Sequence, residues 1–353
     1  MLDFFYEYGL FVAKAATLVA AVLLVIAAAA QLAQRRRDGE GHIEVTNLNE
    51  LLEDNAWELR EMVLDPGLLK KQRKQERKEE KAEAKAQARR IKQGADVEAE
   101  HRKRVYVLDF DGDIKASEVE ALREEITTVL SLATDKDEVL LRLESGGGMV
   151  HSYGLAASQL QRIRDKGVPL VVCVDRVAAS GGYMMACIAD RLLAAPFAVL
   201  GSIGVVAQIP NFHRLLKKND IDVELLTAGE YKRTLTMFGE NTDKDRQKFV
   251  EDLEDIHLLF KDFVAEHRPQ LDIAEVANGD VWFGRRALDK ALIDGISTSD
   301  QYIVEACQDA DVYRVRYVEK KSLPERFGLS ISTVADRLLL TWWGRAQKSR
   351  FLS

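Results

Sequence analysis

The chain has 353 residues, 47% of them hydrophobic and 30% charged, with a formal net charge of −7. That length permits more than one domain without requiring two, and the apolar share is enough to bury a core. The acidic balance argues against general nucleic-acid affinity. Three cysteines, with no CxxC pair and no Cys/His cluster at zinc spacing, argue against a disulfide framework and a zinc site. Cys173 lies in an apolar run and reads as a buried thiol.

The first element is apolar. Over 10–32 only Lys14, Thr17 and Gln31 interrupt it. At about 1.5 Å per residue this is long enough for the roughly 30 Å hydrocarbon core of a bilayer. It is long for the apolar stretch of a cleaved signal peptide, and its basic residues follow it instead of preceding it. It therefore reads as an anchor over 1–37, touching membrane lipid. Arg35, Arg36 and Arg37 follow the run while Asp3 and Glu7 precede it, which by charge bias puts the bulk of the chain in the cytoplasm.

A polar and charged helical spacer follows over 38–104. It contains a short helix around 48–64. It also contains a run over 70–104 dominated by Ala, Glu, Lys, Gln and Arg, which reads as a solvated helix or an extended linker. From Val105 the texture becomes that of an α/β domain, assigned to 105–320. The segment VYVLDF predicts a strand, and Ser117-Glu118-Val119-Glu120 predicts a capping box opening a helix to about residue 132. Further strands are predicted over 138–143, 169–174, 191–195, 199–206 and 223–226. Helices are predicted over 151–166, from 179, and over 243–266. Continuous apolar strands separated by helices imply a largely parallel sheet covered on both faces. The tail over 321–353 contains an amphipathic stretch with Trp342 and Trp343, equally suited to a partner helix or a membrane surface.

In open α/β architectures, sites gather where strands give way to helices. Three such turns are unusual: Ser145-Gly146-Gly147-Gly148, Ala179-Ser180-Gly181-Gly182-Tyr183 and Gly201-Ser202-Ile203-Gly204-Val205. Glycines beside Ser180 let a substrate backbone approach, and a helix start supplies free amides. The alternative is a serine that merely caps a helix. Successive glycine amides in the first turn can cradle an anion, either a phosphate or an oxyanion. The spacing fits neither a Walker loop nor GxGxxG. A nucleophilic serine needs a base. Of the six histidines only His213 follows at a suitable place; Lys232, near Leu235, Met237 and Phe238, is the other candidate. An apolar pocket disfavours an ammonium and so favours a neutral, proton-accepting amine.

Taken together, Ala179-Ser180-Gly181-Gly182-Tyr183, Gly229-Glu230-Tyr231-Lys232 and Gly201-Ser202-Ile203-Gly204-Val205 resemble, in order and spacing, the motifs of the signal peptide peptidase A family of serine–lysine peptidases. Trp282-Phe283-Gly284-Arg285-Arg286-Ala287 is similar to a downstream block of that family. The resemblance covers roughly 105–299. Two departures are visible: Gly146 stands where the family has proline, leaving a looser turn, and Met184 follows Tyr183 where a second tyrosine is common. The resemblance implies a crotonase/ClpP-like core. It implies Ser180 as nucleophile, Lys232 as general base, Ser202 orienting that lysine, and the amides of Gly148 and Gly181 holding the oxyanion. No metal or cofactor is implied. The substrates would be peptides such as membrane-derived signal peptide remnants, with small or apolar residues near the cut. With one such domain per chain, the serine and lysine are expected to lie apart in one subunit and to meet across a boundary in a homo-oligomeric ring. The family's setting is the bacterial inner membrane with the catalytic domain on the periplasmic side, against the direction given by Arg35–Arg37. Three competing readings remain at this level: a crotonase-type acyl-transfer enzyme, a non-catalytic membrane scaffold, and a peptidase with His213 as base.

Overall fold

A computed structural model of the chain describes residues 41–65, 67, 102–229 and 231–319, together with Lys14, Thr17, Lys78 and Lys85. The apolar run 10–32, most of 70–104 and the tail from 320 lie outside the described residues. Among the described residues no helix is long and apolar enough to cross a membrane. The chain divides into two units. One comprises Met1–His42 with Val318–Ser353; the other, Ile43–Tyr317, carries the α/β fold.

In chain order the elements are β1 (His42–Asn47), α1 (Leu48–Val63), β2 (Arg104–Gly112), α2 (Val119–Leu130), β3 (Glu138–Ser145), α3 (Val150–Asp165), β4 (Leu170–Val174), β5 (Val177–Ala179), α4 (Gly181–Ala186), β6 (Arg191–Ala194) and β7 (Val199–Gly201). They continue with α5 (His213–Lys218), α6 (Asp243–His267), α7 (Ile273–Val276), β8 (Val281–Phe283), α8 (Gly284–Asp289), β9 (Gly295–Ile296), α9 (Ser299–Asp309) and β10 (Asp311–Val318). The strands form one sheet in the order β1-β10-β2-β3-β4-β6-β9. Every pairing from β10 to β9 is parallel. The mixed α/β class expected from the sequence is therefore the class observed.

Period-2 alternation explains how the sheet is buried twice. In β2, Leu108 and Phe110 face one core with Leu122, Ile126, Leu160 and Ile163 of α2 and α3. Val105 and Val107 face a second core with Leu140, Val171, Leu193 and Ile303. Each fully buried Leu or Phe contributes about 2 kcal/mol. Cys173 belongs to the second core, and burial pushes its thiol up to about 12, in keeping with an inert packing residue.

One feature of the topology positions the site. β5 branches off the main sheet: Ala178 pairs with Ser145 at the end of β3, and β5 then pairs with β7. The turns that follow β3, β5 and β7 are thereby set side by side. β8 closes this branch, antiparallel to β7.

Several predicted details differ. The capping box at 117–120 does not form. Ser117 instead donates its hydroxyl to Asp113 at 2.8 Å, and the Glu118 carboxylate accepts the Asp111 N–H at 2.7 Å, so α2 begins without a side-chain cap. A local aspartate turn outcompetes the helix end for those side chains. The box that does form is on α6, between Thr242 and Asp245. The predicted strand over 199–206 stops at Gly201, because Gly201 (φ +93) and Ser202 (φ 50) turn the chain. The segment 223–226 is not a strand; its residues are exposed and pair with nothing in the sheet. β1 and α1, read as part of the spacer, pack in the α/β unit. There Asn49 bridges the Cys307 and Ala310 carbonyls and accepts the Val312 N–H.

Candidate active site

The site is built upward from the short β5. Its last residue, Ala179, pairs with Gly201, and the following N–H, that of Ser180, donates to the Gly201 carbonyl at 2.8 Å. Ser180 then turns with φ 53 and ψ −119, a conformation that costs a non-glycine residue about 1–3 kcal/mol. The strain is held by that amide bond behind and by the Met184 N–H, which donates to the Ser180 carbonyl at 3.0 Å. The result is a half-buried hydroxyl at a strand-to-helix junction, on the wall of a cavity.

The turn after β3 lies directly against it. A Cβ at Gly147 (φ +85) would sit 2.6 Å from the Gly181 nitrogen and 2.8 Å from Ser180 Cβ, so only glycine fits there. The Gly147 N–H donates to Ser145 Oγ at 3.0 Å. Among the described residues the amides of Gly148 and Gly181 donate to no protein acceptor. Both residues line the same cavity as Ser180.

That cavity measures about 440 Å³. Val150, Gly154 and Ser158 of α3 and Met184 of α4 form one side; Ile256, Leu259, Phe260 and Phe263 of α6 form the other. Apart from the Ser158 and Ser180 hydroxyls its side chains are apolar, so it suits an uncharged aliphatic or small group. α6 is held in place at its C-terminal end by Arg268, whose buried guanidinium grips Asp294 through two bonds of 2.8 and 2.9 Å. Burial works against the Asp294 charge, but Arg268 and the Leu192 N–H outweigh it and hold the carboxyl below its ordinary value.

The remaining sequence candidates are placed differently. Ser202 is half-buried beside the Ser180 turn, and its N–H donates to the Asp280 carbonyl at 2.6 Å. Lys232 is exposed; its backbone N–H donates to the Gly229 carbonyl, and its side chain is not part of the cavity wall. His213 opens the short α5 and also lies off the cavity. His257 bonds the Ile203 carbonyl at 3.2 Å, and His267 bonds the Phe263 carbonyl and Gln161, so both serve packing. Thus Ser180, Gly148 and Gly181 share one site, Ser202 adjoins it, and Lys232 is not among the residues that line it. Among the described residues no group of three or more His, Cys, Asp or Glu side chains could hold a metal.

Sequence reasoning missed the α6 wall and Tyr153. The former had a signal, since Ile256, Phe260 and Phe263 recur at helical spacing on one face. Tyr153 had none.

The chain is a peptidase by family: it belongs to peptidase family S49. Residues 3–160 match the model of "Peptidase family S49 N-terminal" and residues 162–313 that of "Peptidase family S49". The chain is 52% identical to "Probable protease SohB" of Haemophilus influenzae over 326 residues, 92% of each chain. It is 55% identical over 240 residues to the protein of the same name from Buchnera aphidicola, covering 68% of this chain and 71% of the other. The boundary between the two family models falls within α3, whereas the parallel pairing of β3 with β4 runs across it.

Proposed function

We propose that the protein is a membrane-bound serine endopeptidase with a Ser180/Lys232 dyad completed between subunits. The observation that carries this reading is Ser180 itself: a strained serine at the end of β5, on an apolar cavity, flanked by the unspent amides of Gly148 and Gly181. Ser180 Oγ attacks the peptide carbonyl while a neutral Lys232 amine takes its proton. The carbonyl oxygen becomes an oxyanion held by the two amides. Its collapse breaks the C–N bond, the lysine returns the proton to the leaving amine, and water then releases the acyl group from Ser180. Ser202, beside the Ser180 turn, orients the lysine. The apolar cavity takes a small or aliphatic side chain next to the cut, which suits remnants of signal peptides.

Support for the shared dyad comes from the segment carrying Lys232. Val206, Leu215, Leu226, Tyr231 and Phe238 are 91%, 58%, 88%, 55% and 48% exposed, an apolar load unusual for a free surface. A neighbouring copy in a ring would cover it, strip water from the lysine and bring that amine to the next subunit's Ser180. The branch of β5 from the sheet supports a crotonase/ClpP-like core. The length of the apolar run over 10–32 supports an anchor in the bacterial inner membrane, and the family resemblance supports a catalytic domain on the periplasmic side, against the charge bias of Arg35–Arg37; a compartment reporter fused to the C-terminus tests that side.

The central experiment compares peptide cleavage and fluorophosphonate labelling by the wild type, Ser180→Ala and Lys232→Ala at several pH values. Cleavage and labelling should vanish without Ser180, and cleavage should collapse without Lys232. Cleavage that survives either substitution overturns the mechanism. A His213→Ala protein with full activity removes the histidine-base alternative, and loss of thioester hydrolysis in Ser180→Ala removes a crotonase-type chemistry.

A further inference from the structure

Tyr153, on the first turns of α3, is wholly buried and is not needed by the steps above. Its hydroxyl donates to the Asp113 carbonyl at 2.7 Å and lies 2.5 Å from Ser145 Oγ. A carbonyl can only accept, so the phenol proton is committed to Asp113. The Ser145 hydroxyl has two acceptors within reach, the Tyr153 oxygen at 2.5 Å and the Gly112 carbonyl at 3.3 Å; the much shorter contact takes the proton, and this leaves Ser145 lone pairs for the Gly147 N–H at 3.0 Å. The direction of the relay is therefore fixed: Gly147 N–H to Ser145, Ser145 to Tyr153, Tyr153 to Asp113. Such chains reinforce one another.

The ring of the same residue supports the other side. A Cβ at Gly181 would lie 2.5 Å from Tyr153 Cγ, so Tyr153 packs directly against the Gly181 backbone. Phe110 meets the ring edge-on, with centroids 6.4 Å apart, and holds it there. One side chain thus touches both amide-bearing segments. It occupies the amide of Gly147 through Ser145, leaves that of Gly148 free, and sets the height of Gly181. The turn lacks a proline, and this relay gives it a hydrogen-bonded tie.

We propose that Tyr153 is a positioning residue that aligns the two oxyanion donors through the Ser145 relay and the Gly181 contact, an inference that rests on the serine-peptidase reading. The test uses full-length protein with the substitutions Tyr153→Phe, Ser145→Ala, Ser145→Thr and the Tyr153→Phe/Ser145→Ala pair. Ser180→Ala serves as the control, and kcat, KM, the rate of fluorophosphonate acylation and the melting curve are measured. Tyr153→Phe and Ser145→Ala should each lower kcat and acylation by about ten- to a hundredfold, with KM within about twofold. The pair should be no worse than either single change, and Ser145→Thr, which keeps the hydroxyl, should recover activity. A Tyr153→Phe protein that melts earlier but keeps wild-type kcat overturns the proposal, as do single effects that multiply in the pair. If Tyr153→Phe does not fold, Ser145→Ala with unchanged kcat overturns it equally. Activity surviving in Ser180→Ala would instead sink the peptidase mechanism, a separate failure.

Discussion

Ser180 and Lys232 come from one chain but from regions built in opposite ways. Around Ser180, the strands β3, β5 and β7 and the helix α4 are mostly buried, α3 buries one face against them, and the geometry of the turn is dictated by the core. Over 206–238 nearly every described residue is exposed, only the short α5 is regular, and apolar side chains face outward. The difference teaches that the geometry around Ser180 is prebuilt by folding, whereas the segment carrying Lys232 is left exposed, as the proposed sharing of the dyad would require. On the proposed mechanism, a lone subunit so constructed would hold an oxyanion site and a nucleophile without a base.

The strongest way to break that comparison is complementation. Lys232→Ala should lower kcat by on the order of 10²- to 10⁴-fold. Mixing it with Ser180→Ala subunits should restore a fraction of the activity, because some boundaries then pair an intact serine with an intact lysine. Two inactive proteins that stay inactive after co-assembly refute the shared dyad.

Next in size is the tie that holds the cavity wall. Arg268→Ala removes a buried guanidinium that bonds the partly exposed Asp294 carboxylate and the Ala291 carbonyl, and should cost about 3 kcal/mol of stability, read by chemical denaturation. The exposed arm offers no counterpart: Arg214→Ala on α5 should change stability by less than about 0.5 kcal/mol.

A third test is electrostatic. Glu125 of α2 is 4% exposed; one oxygen accepts the Tyr317 N–H at 2.7 Å and the other has no partner among the described residues. Burial, with the nearby Asp109 and Glu118 charges, pushes its carboxyl up to about 7, against the pull of the Tyr317 N–H and Arg316. The folded state therefore holds a proton that the unfolded chain gives up near pH 4.3. Stability should fall as pH rises through that window to about 7, by up to roughly 3 kcal/mol. In Glu125→Gln this slope should disappear; an unchanged slope would place the titration elsewhere.

The smallest effect probes the cavity itself. A Cβ at Gly154 would meet nothing within 4 Å, and the residue lines the space beside Ser180. Gly154→Val should leave the fold intact while raising KM about tenfold for peptides with a leucine at the cut, sparing those with alanine. Equal effects on both peptides would mean that this space does not receive the substrate side chain.

Much of this was legible before the fold was known, and the reasons differ by element. The strands β2, β3 and β4 carry continuous apolar runs because both faces of the sheet are covered, so their pattern announces them. The glycine-flanked Ser180 was visible because a turn tight enough to admit Gly147 against Gly181 leaves a compositional trace. β9 was missed, since a two-residue strand owes its state to neighbours distant in the chain; β10 was overlooked although DVYRVRYV interleaves β-forming valines and tyrosines with charged residues over eight positions. The segment 223–226 was overcalled for the converse reason: β-forming residues without a partner strand do not make a ladder. Tyr153 was silent, because its role depends on a serine eight positions earlier and a glycine across the sheet. No local pattern encodes that meeting.

The backbone at Ser180 has a consequence for the molecule's own economy. At φ 53 and ψ −119 a glycine would rest without penalty, whereas every L-residue carries a toll. Exchanging this serine for glycine should give a protein that melts later than its parent yet hydrolyses nothing. The chain therefore keeps a standing handicap at one spot, and a search for hardier variants run blind to chemistry would erase that spot early.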